Sequence, residues 1–270
     1  MVCFGVYFSY MAMRGLPNIN MSLFFGDVAP LMALTGRVPV WDGIWPSIVG
    51  TFFLVVIAAL LAIPTGIMAG IYMSEYSSEY FRDTANALID LLAGMPSIVM
   101  GLFGFTFILF LKRSLAPSAN VGLLLASACL AILSLPYMIK TTQLALNNID
   151  EHRRLIGPTL GFSKQQNIFH VLLPASSREI LNGVILTIGR SEEDTAVILL
   201  TGVVANAGIP SGVTDKFEAL PFFIYYTASE HRTLDELDKG FGAALVLLGV
   251  AALLFVISKL VERTVTKARR

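Results

Sequence analysis

Residues 43–74 carry no charged side chain and are apolar almost throughout. That run exceeds the roughly 20 residues a helix needs to cross a hydrocarbon core of about 30 Å. Three more uncharged stretches, 91–111, 114–139 and 240–258, reach or pass the same threshold. No water satisfies backbone groups inside a bilayer, so each stretch must be helical. The predicted fold is all-α, a polytopic membrane bundle. Composition agrees: 55% of residues are hydrophobic and 14% charged, where soluble domains average about 25% charged. The 19 basic residues cancel the 19 acidic ones, which excludes a cationic surface for nucleic acid and a solvated disordered tail.

A fifth crossing is expected over 180–204, apolar at both ends and interrupted by Arg190, Glu192, Glu193 and Asp194. Residues 1–13 are also apolar but cover only about 20 Å at a helical rise of about 1.5 Å per residue. They read as a truncated first helix rather than a signal peptide, because no Lys or Arg precedes them. The count is five full crossings plus a partial one, with segment 14–42 outside, a transmembrane domain over 43–262 and a basic tail over 263–270.

Orientation follows from Lys and Arg in the loops, which mark the cytoplasmic side. Lys140, Arg153, Arg154, Lys164 and Arg178 put 140–178 inside, and Lys259, Arg263, Lys267, Arg269 and Arg270 do the same for the tail. Segment 205–239 is rich in acids and is expected to face outward. The chain is thus read as a multi-pass membrane protein with these two segments on the cytoplasmic side.

The inside loop 150–174 is too polar to cross and too patterned to be structureless. Asp150 is placed to cap a first helix through Leu160, Gly161 to turn the chain, and Ser163 to cap a second helix ending before Pro174. In the second helix Ile168, Val171 and Leu172 form one apolar stripe. It can seat in a partner's groove or pack back on the membrane helices, and periodicity alone does not choose.

Charge in the middle of a spanning helix costs about 2.5–3.5 kcal/mol per residue on insertion scales, so the Arg190 cluster should face protein or a water-filled path. Helical spacing lets Glu193 and Asp194 reach the Arg190 guanidinium while Glu192 points elsewhere. A buried ion-pair knot that only fixes packing is the structural alternative. Gly94, Pro96, Gly101 and Gly104 interrupt another crossing; Pro96 is expected to kink it, exposing backbone or allowing close packing.

No Gly-x-x-x-x-Gly-Lys-Ser/Thr phosphate loop occurs, so the chain cannot bind ATP by that device. His152, His170 and His231 are scattered, which fits no metal site, and Cys3 and Cys129 lie in apolar stretches as packing residues.

Gly161, Ser163, Lys164 and Gln165 followed by Val171, Leu172, Leu173 and Pro174 resemble the cytoplasmic coupling loop of ABC importer permeases. The run Gly94, Met95, Pro96, Ser97, Ile98, Val99, Met100, Gly101 resembles the Gly-Val-Pro-Ser-Ile-Val-Phe-Gly segment of phosphate importer permeases of PstA and PstC type. Gly189 and Arg190 followed by acids, Thr195 and Ala196 resemble that family's Gly-Arg-Ala-x-Gly-Glu-Thr-Ala segment, and Lys140, Thr141, Thr142 its Arg-Thr-Thr. The likeness runs from about residue 44 to the end and is closer to the PstA type. Departures are Leu155, Ile156 and Gly157 where the superfamily often has Glu-Ala-Ala, and Asp194 where the family has glutamate.

The resemblance implies a type I ABC importer permease fold and a non-catalytic subunit of an ATP-driven phosphate importer, multi-pass in a bacterial inner membrane. Rivals are an importer of molybdate or sulfate, an intramembrane enzyme using the acids, and a cation channel. The implied partners are a second, PstC-like permease, two PstB-like ATPases and an extracytoplasmic phosphate-binding protein. The chain itself would bind no cofactor, with ATP and Mg used by the ATPases. The implied substrate path holds Arg190, Asp194, Glu193, Lys140, Pro96 and Ser97; the ATPase-coupling residues are Leu160, Gly161, Ser163, Ile168, Leu172 and Pro174.

Overall fold

The computed structural model describes residues 2–34 and 38–267, with side chains omitted at 2–4, 193, 257–258 and 261–267. Residues 268–270 of the expected basic tail, and the side chains of Cys3 and Glu193, therefore lie outside it. The helices are α1 (Val2–Gly15), α2 (Met21–Phe25), α3 (Pro30–Leu34), α4 (Trp45–Glu75), α5 (Glu79–Ala93), α6 (Ser97–Ser114) and α7 (Leu123–Asn147). They continue with α8 (Glu151–Thr159), α9 (Lys164–Asn167), α10 (Leu173–Glu193), α11 (Thr195–Thr201), α12 (Leu220–Glu230) and α13 (Leu234–Lys267). Among the described residues there is no β-strand, only the isolated bridge Val203–Phe217. Among the described residues, five helical stretches are long and apolar enough to cross a membrane: Trp45–Glu75, Ser97–Ser114, Leu123–Asn147, Lys164–Glu192 and Leu234–Val256.

The expected count of five crossings holds, with three boundaries corrected. The crossing expected over 91–111 does not begin until Ser97. Gly94 closes α5 by donating to the Asp90 carbonyl, and Pro96, extended at φ −59° and ψ 134°, caps α6. Pro96 thus separates two helices rather than kinking one, because it has no N–H to continue the ladder. The crossing expected over 114–139 starts at Leu123, after a loop containing Pro117. The crossing expected over 180–204 lies further back, over Lys164–Glu192.

The chain forms two compact units, residues 1–58, 96–130 and 192–253, and residues 59–95, 131–191 and 254–270. In the first, Leu23, Ile44, Leu220 and Ala243 make an apolar core, and Arg14 of α1 pairs with Asp238 of α13 at 2.9 Å. Gly101 of α6 packs on α11 so closely that a Cβ there would sit 3.1 Å from the Ala196 and Val197 carbonyl oxygens. Cys129 is buried as a free thiol. In the second unit, Met138, Ala145 and Ile180 join α7 to α10, while Met73, Ile89 and Ile139 seat one face of α5.

Candidate functional site

In the second unit, α7 and α10 run against each other through small polar contacts. The Ser134 and Ser191 hydroxyls meet at 3.3 Å, and the Thr187 hydroxyl lies 3.7 Å from the Met138 sulfur. Ser191 and Thr187 also donate back to carbonyls one turn earlier, which satisfies each hydroxyl within its own helix. Between these contacts the half-buried Arg190 guanidinium lies over the Tyr137 ring, 4.3 Å from its centroid. Its Nε is buried with no hydrogen-bond acceptor. A buried donor without an acceptor costs about 1–3 kcal/mol.

Helical spacing predicted that Asp194 would hold this guanidinium, but α10 ends at Glu193. Asp194 turns to extended backbone and its carboxylate accepts from the Val197 N–H at 3.2 Å, capping α11. A short carboxylate before a new helix is a strong cap and is taken by the nearest free N–H. Glu192 is buried at 2% exposure. Lys140 bonds both oxygens of Asp90, at 3.1 and 3.2 Å, in a largely exposed pair. Such a pair contributes at most about 1 kcal/mol and holds Lys140 toward α5. Pro96 and Ser97 start α6 in the first unit, with Pro96 exposed and Ser97 half-buried.

The loop 150–174 also belongs to the second unit. Asp150 caps α8 by accepting from the His152 N–H, Gly161 takes the left-handed turn at φ 79°, and Ser163 forms a capping box with Gln166. The second helix does not stop before Pro174. It widens into a π-turn over Ile168–Leu172, where the Leu173 N–H donates to the Ile168 carbonyl, and runs on into α10. The wider turn leaves room for a proline ring that would press on a carbonyl in a regular α-helix.

The apolar stripe faces inward. Ile168 and Leu172, at 2% and 1% exposure, pack on Leu146, so these two expected coupling residues are core and hold the loop in place. Arg154 adds an ion pair to Glu75 at 2.9 Å, and Lys164 sits over the Tyr76 ring at 4.7 Å. What faces outward is a different apolar set that periodicity did not isolate: Leu155, Ile156, Leu160, Phe162 and Phe169. Gly161 and Ser163 are exposed beside it and Pro174 is half-buried.

A further polar tie was invisible in the sequence. In the first unit Glu218 is buried and accepts from the Ser47 hydroxyl at 3.0 Å and the Gly208 N–H at 2.9 Å. The Thr51 hydroxyl, one turn on from Ser47, accepts from the Leu220 N–H at 2.9 Å. Burial pushes the Glu218 carboxyl above the usual carboxylate range, more than these donors pull it down. The folded form therefore holds its proton at a pH where an exposed glutamate has lost it, and this contribution is lost as pH rises through the raised value. Protection of the Gly208 amide from hydrogen exchange, corrected for intrinsic exchange, is expected to fall over that window. In Glu218→Gln, which keeps an acceptor but cannot ionise, the fall should vanish; an unchanged pH profile would contradict the assignment.

Residues 62–267 match the family model of the binding-protein-dependent transport system inner membrane component. A phosphate transport system permease protein PstA of Haemophilus influenzae is 31% identical over 89% of this chain and 80% of its own length. A PstA homolog of Mycoplasma pneumoniae is 32% identical over 60% of this chain, which spans only 25% of that relative. Among solved structures, a bacterial ABC transporter involved in the import of the acidic polysaccharide alginate is similar in fold. Its TM-score is 0.68, covering 98% of this chain and 93% of that one at 14% identity. The matched span, together with the helices and loop described above, shows that the chain belongs to the family of binding-protein-dependent transport system inner membrane components and, within it, to the PstA-type phosphate transport permeases.

Proposed function

We propose that this chain is the membrane-spanning subunit of an ATP-driven importer of inorganic phosphate, and that Arg190 meets the ion in transit. The observation that carries the reading is the Arg190 Nε, buried without an acceptor on a guanidinium whose Cζ lies 4.3 Å from the Tyr137 ring centroid. A planar, permanently charged fork suits a tetrahedral oxyanion, which accepts along its edge. The names of the PstA relatives support phosphate as that anion.

A second permease completes the path, and an extracytoplasmic binding protein delivers phosphate to the side bearing 205–239. Two ATPases, which use ATP and Mg, take hold of the loop at Leu155, Ile156, Leu160, Phe162 and Phe169, beside Gly161 and Ser163. Ile168, Leu172 and Pro174 act from behind, tying that surface to α7 and α10. Lys140, in the same unit as Arg190, flanks the route; Asp194 acts through the start of α11, and the resemblance alone offers Glu193, Pro96 and Ser97. The loop and the C-terminus are cytoplasmic. Nucleotide-driven closure of the ATPases then alternates access to the path.

The test is ATP hydrolysis by the whole assembly reconstituted in liposomes. Phosphate with its binding protein should stimulate it, and molybdate and sulfate should not. Stimulation by one of those anions instead would reassign the cargo. Ion conductance without nucleotide, or turnover by the isolated chain, would overturn the transporter reading.

A further inference from the structure

We propose that Tyr137 is a positioning residue for transport: it holds the Arg190 guanidinium over its ring face, so that the N–H groups stay unengaged until the anion arrives. This deepens the reading of Arg190 given above and rests on it. Arginine has a long, flexible stem, and an unheld guanidinium would lose much of its freedom only when the anion arrives, weakening the contact. A carboxylate partner would hold it too, but only by occupying the same donors that the anion needs. An aromatic ring avoids that conflict, because its negative face attracts the cation while using none of the N–H groups.

The structure places the ring for this task. The Arg190 Cζ lies 4.3 Å from the Tyr137 centroid, and the Nε remains without an acceptor. Both residues sit on a stretch whose register is fixed on either side. Ser134 meets Ser191 at 3.3 Å, and Met138, which is fully buried, meets Thr187 at 3.7 Å. The Tyr137 carbonyl is held in turn by the Thr141 hydroxyl at 2.7 Å. Pro136, inside α7, restricts the backbone immediately before the ring. The ring is thus mounted on rigid backbone, as pre-organisation requires.

Phosphate uptake into vesicles holding the full assembly separates the roles. Tyr137→Phe keeps the face and should leave uptake within about twofold of wild type. Tyr137→Leu should raise KM between about 2-fold and 30-fold, with Vmax and basal ATP hydrolysis near wild type. In an Arg190→Lys background, Tyr137→Leu should add less than it does alone, because the planar partner is already gone. A Tyr137→Leu variant with wild-type KM, or a Tyr137→Phe variant as impaired as Tyr137→Leu, overturns the proposal. Wild-type uptake by Arg190→Gln sinks the reading of Arg190 itself and this proposal with it; loss in Arg190→Gln with a silent Tyr137→Leu sinks this proposal alone.

Discussion

Arg190→Gln is expected to lower phosphate uptake at subsaturating phosphate by at least about 30-fold in the reconstituted assembly, with basal ATP hydrolysis retained. A hydrogen bond to a charged group is worth about 1.5–3 kcal/mol and a neutral one about 0.5–1.5 kcal/mol. Two contacts made neutral at once therefore lose about 2–3 kcal/mol, and each 1.4 kcal/mol is tenfold. Glutamine also gives up the cation–ring contact with Tyr137, since it carries no cation for the ring to attract. Arg190→Lys keeps the charge but loses the fork and the Nε, so its loss should be smaller, about tenfold. Equal losses for lysine and glutamine would show that geometry alone matters there. Uptake within twofold of wild type for glutamine would remove Arg190 from the path.

The second large effect is expected on the loop. Leu160 and Phe169 are 66% and 65% exposed on a segment otherwise pinned by Ile168, Leu172 and the Arg154–Glu75 pair. Fully burying one large apolar side chain contributes about 1.5–3 kcal/mol, and with about two-thirds of each still to cover a partner seated on both gains about 2–4 kcal/mol from them. Leu160→Asp combined with Phe169→Asp removes that gain and places two charges in the contact. Co-purification of the ATPases and phosphate-stimulated hydrolysis should fall by more than about 100-fold. The permease itself should still insert and keep its helix content, because neither side chain is in its core. Ile168→Asp makes the contrast: it buries an unpaired charge against Leu146 and should lower the yield of folded chain. Wild-type recovery of the ATPases with the double variant would show that they dock elsewhere.

The parts of the loop that were legible are those decided within a few residues. Asp150 before α8, Gly161 at the turn and Ser163 with Gln166 are local contacts, and the residue types state them. The direction of the Ile168 and Leu172 stripe was not legible, since an amphipathic helix shows the same period whether its apolar face meets its own chain or a partner. The residues left outside, Leu155, Ile156, Leu160, Phe162 and Phe169, lie on both sides of the Gly161 turn, so no single continuous helix joins them. The Arg190–Asp194 pairing failed for a related reason. Spacing of four assumes that the helix continues, and Asp194 found a nearer donor in the Val197 N–H. Pro96 shows the same limit, because a proline announces a disturbed helix without saying whether the chain bends or breaks.

The chain alone determined that it is all-α, that it carries five stretches long and apolar enough to cross a membrane, and that one arginine sits among acids in an apolar setting. These follow from the bilayer, which leaves no alternative to a helix for an uncharged run of such length and makes any charge within it conspicuous. Tertiary structure decided that Tyr137 faces the guanidinium, that Glu218 is tied to Ser47 and that Ile168 and Leu172 are buried. Each of these joins residues far apart along the chain, and such a meeting is set by how helices pack, on which local spacing is silent.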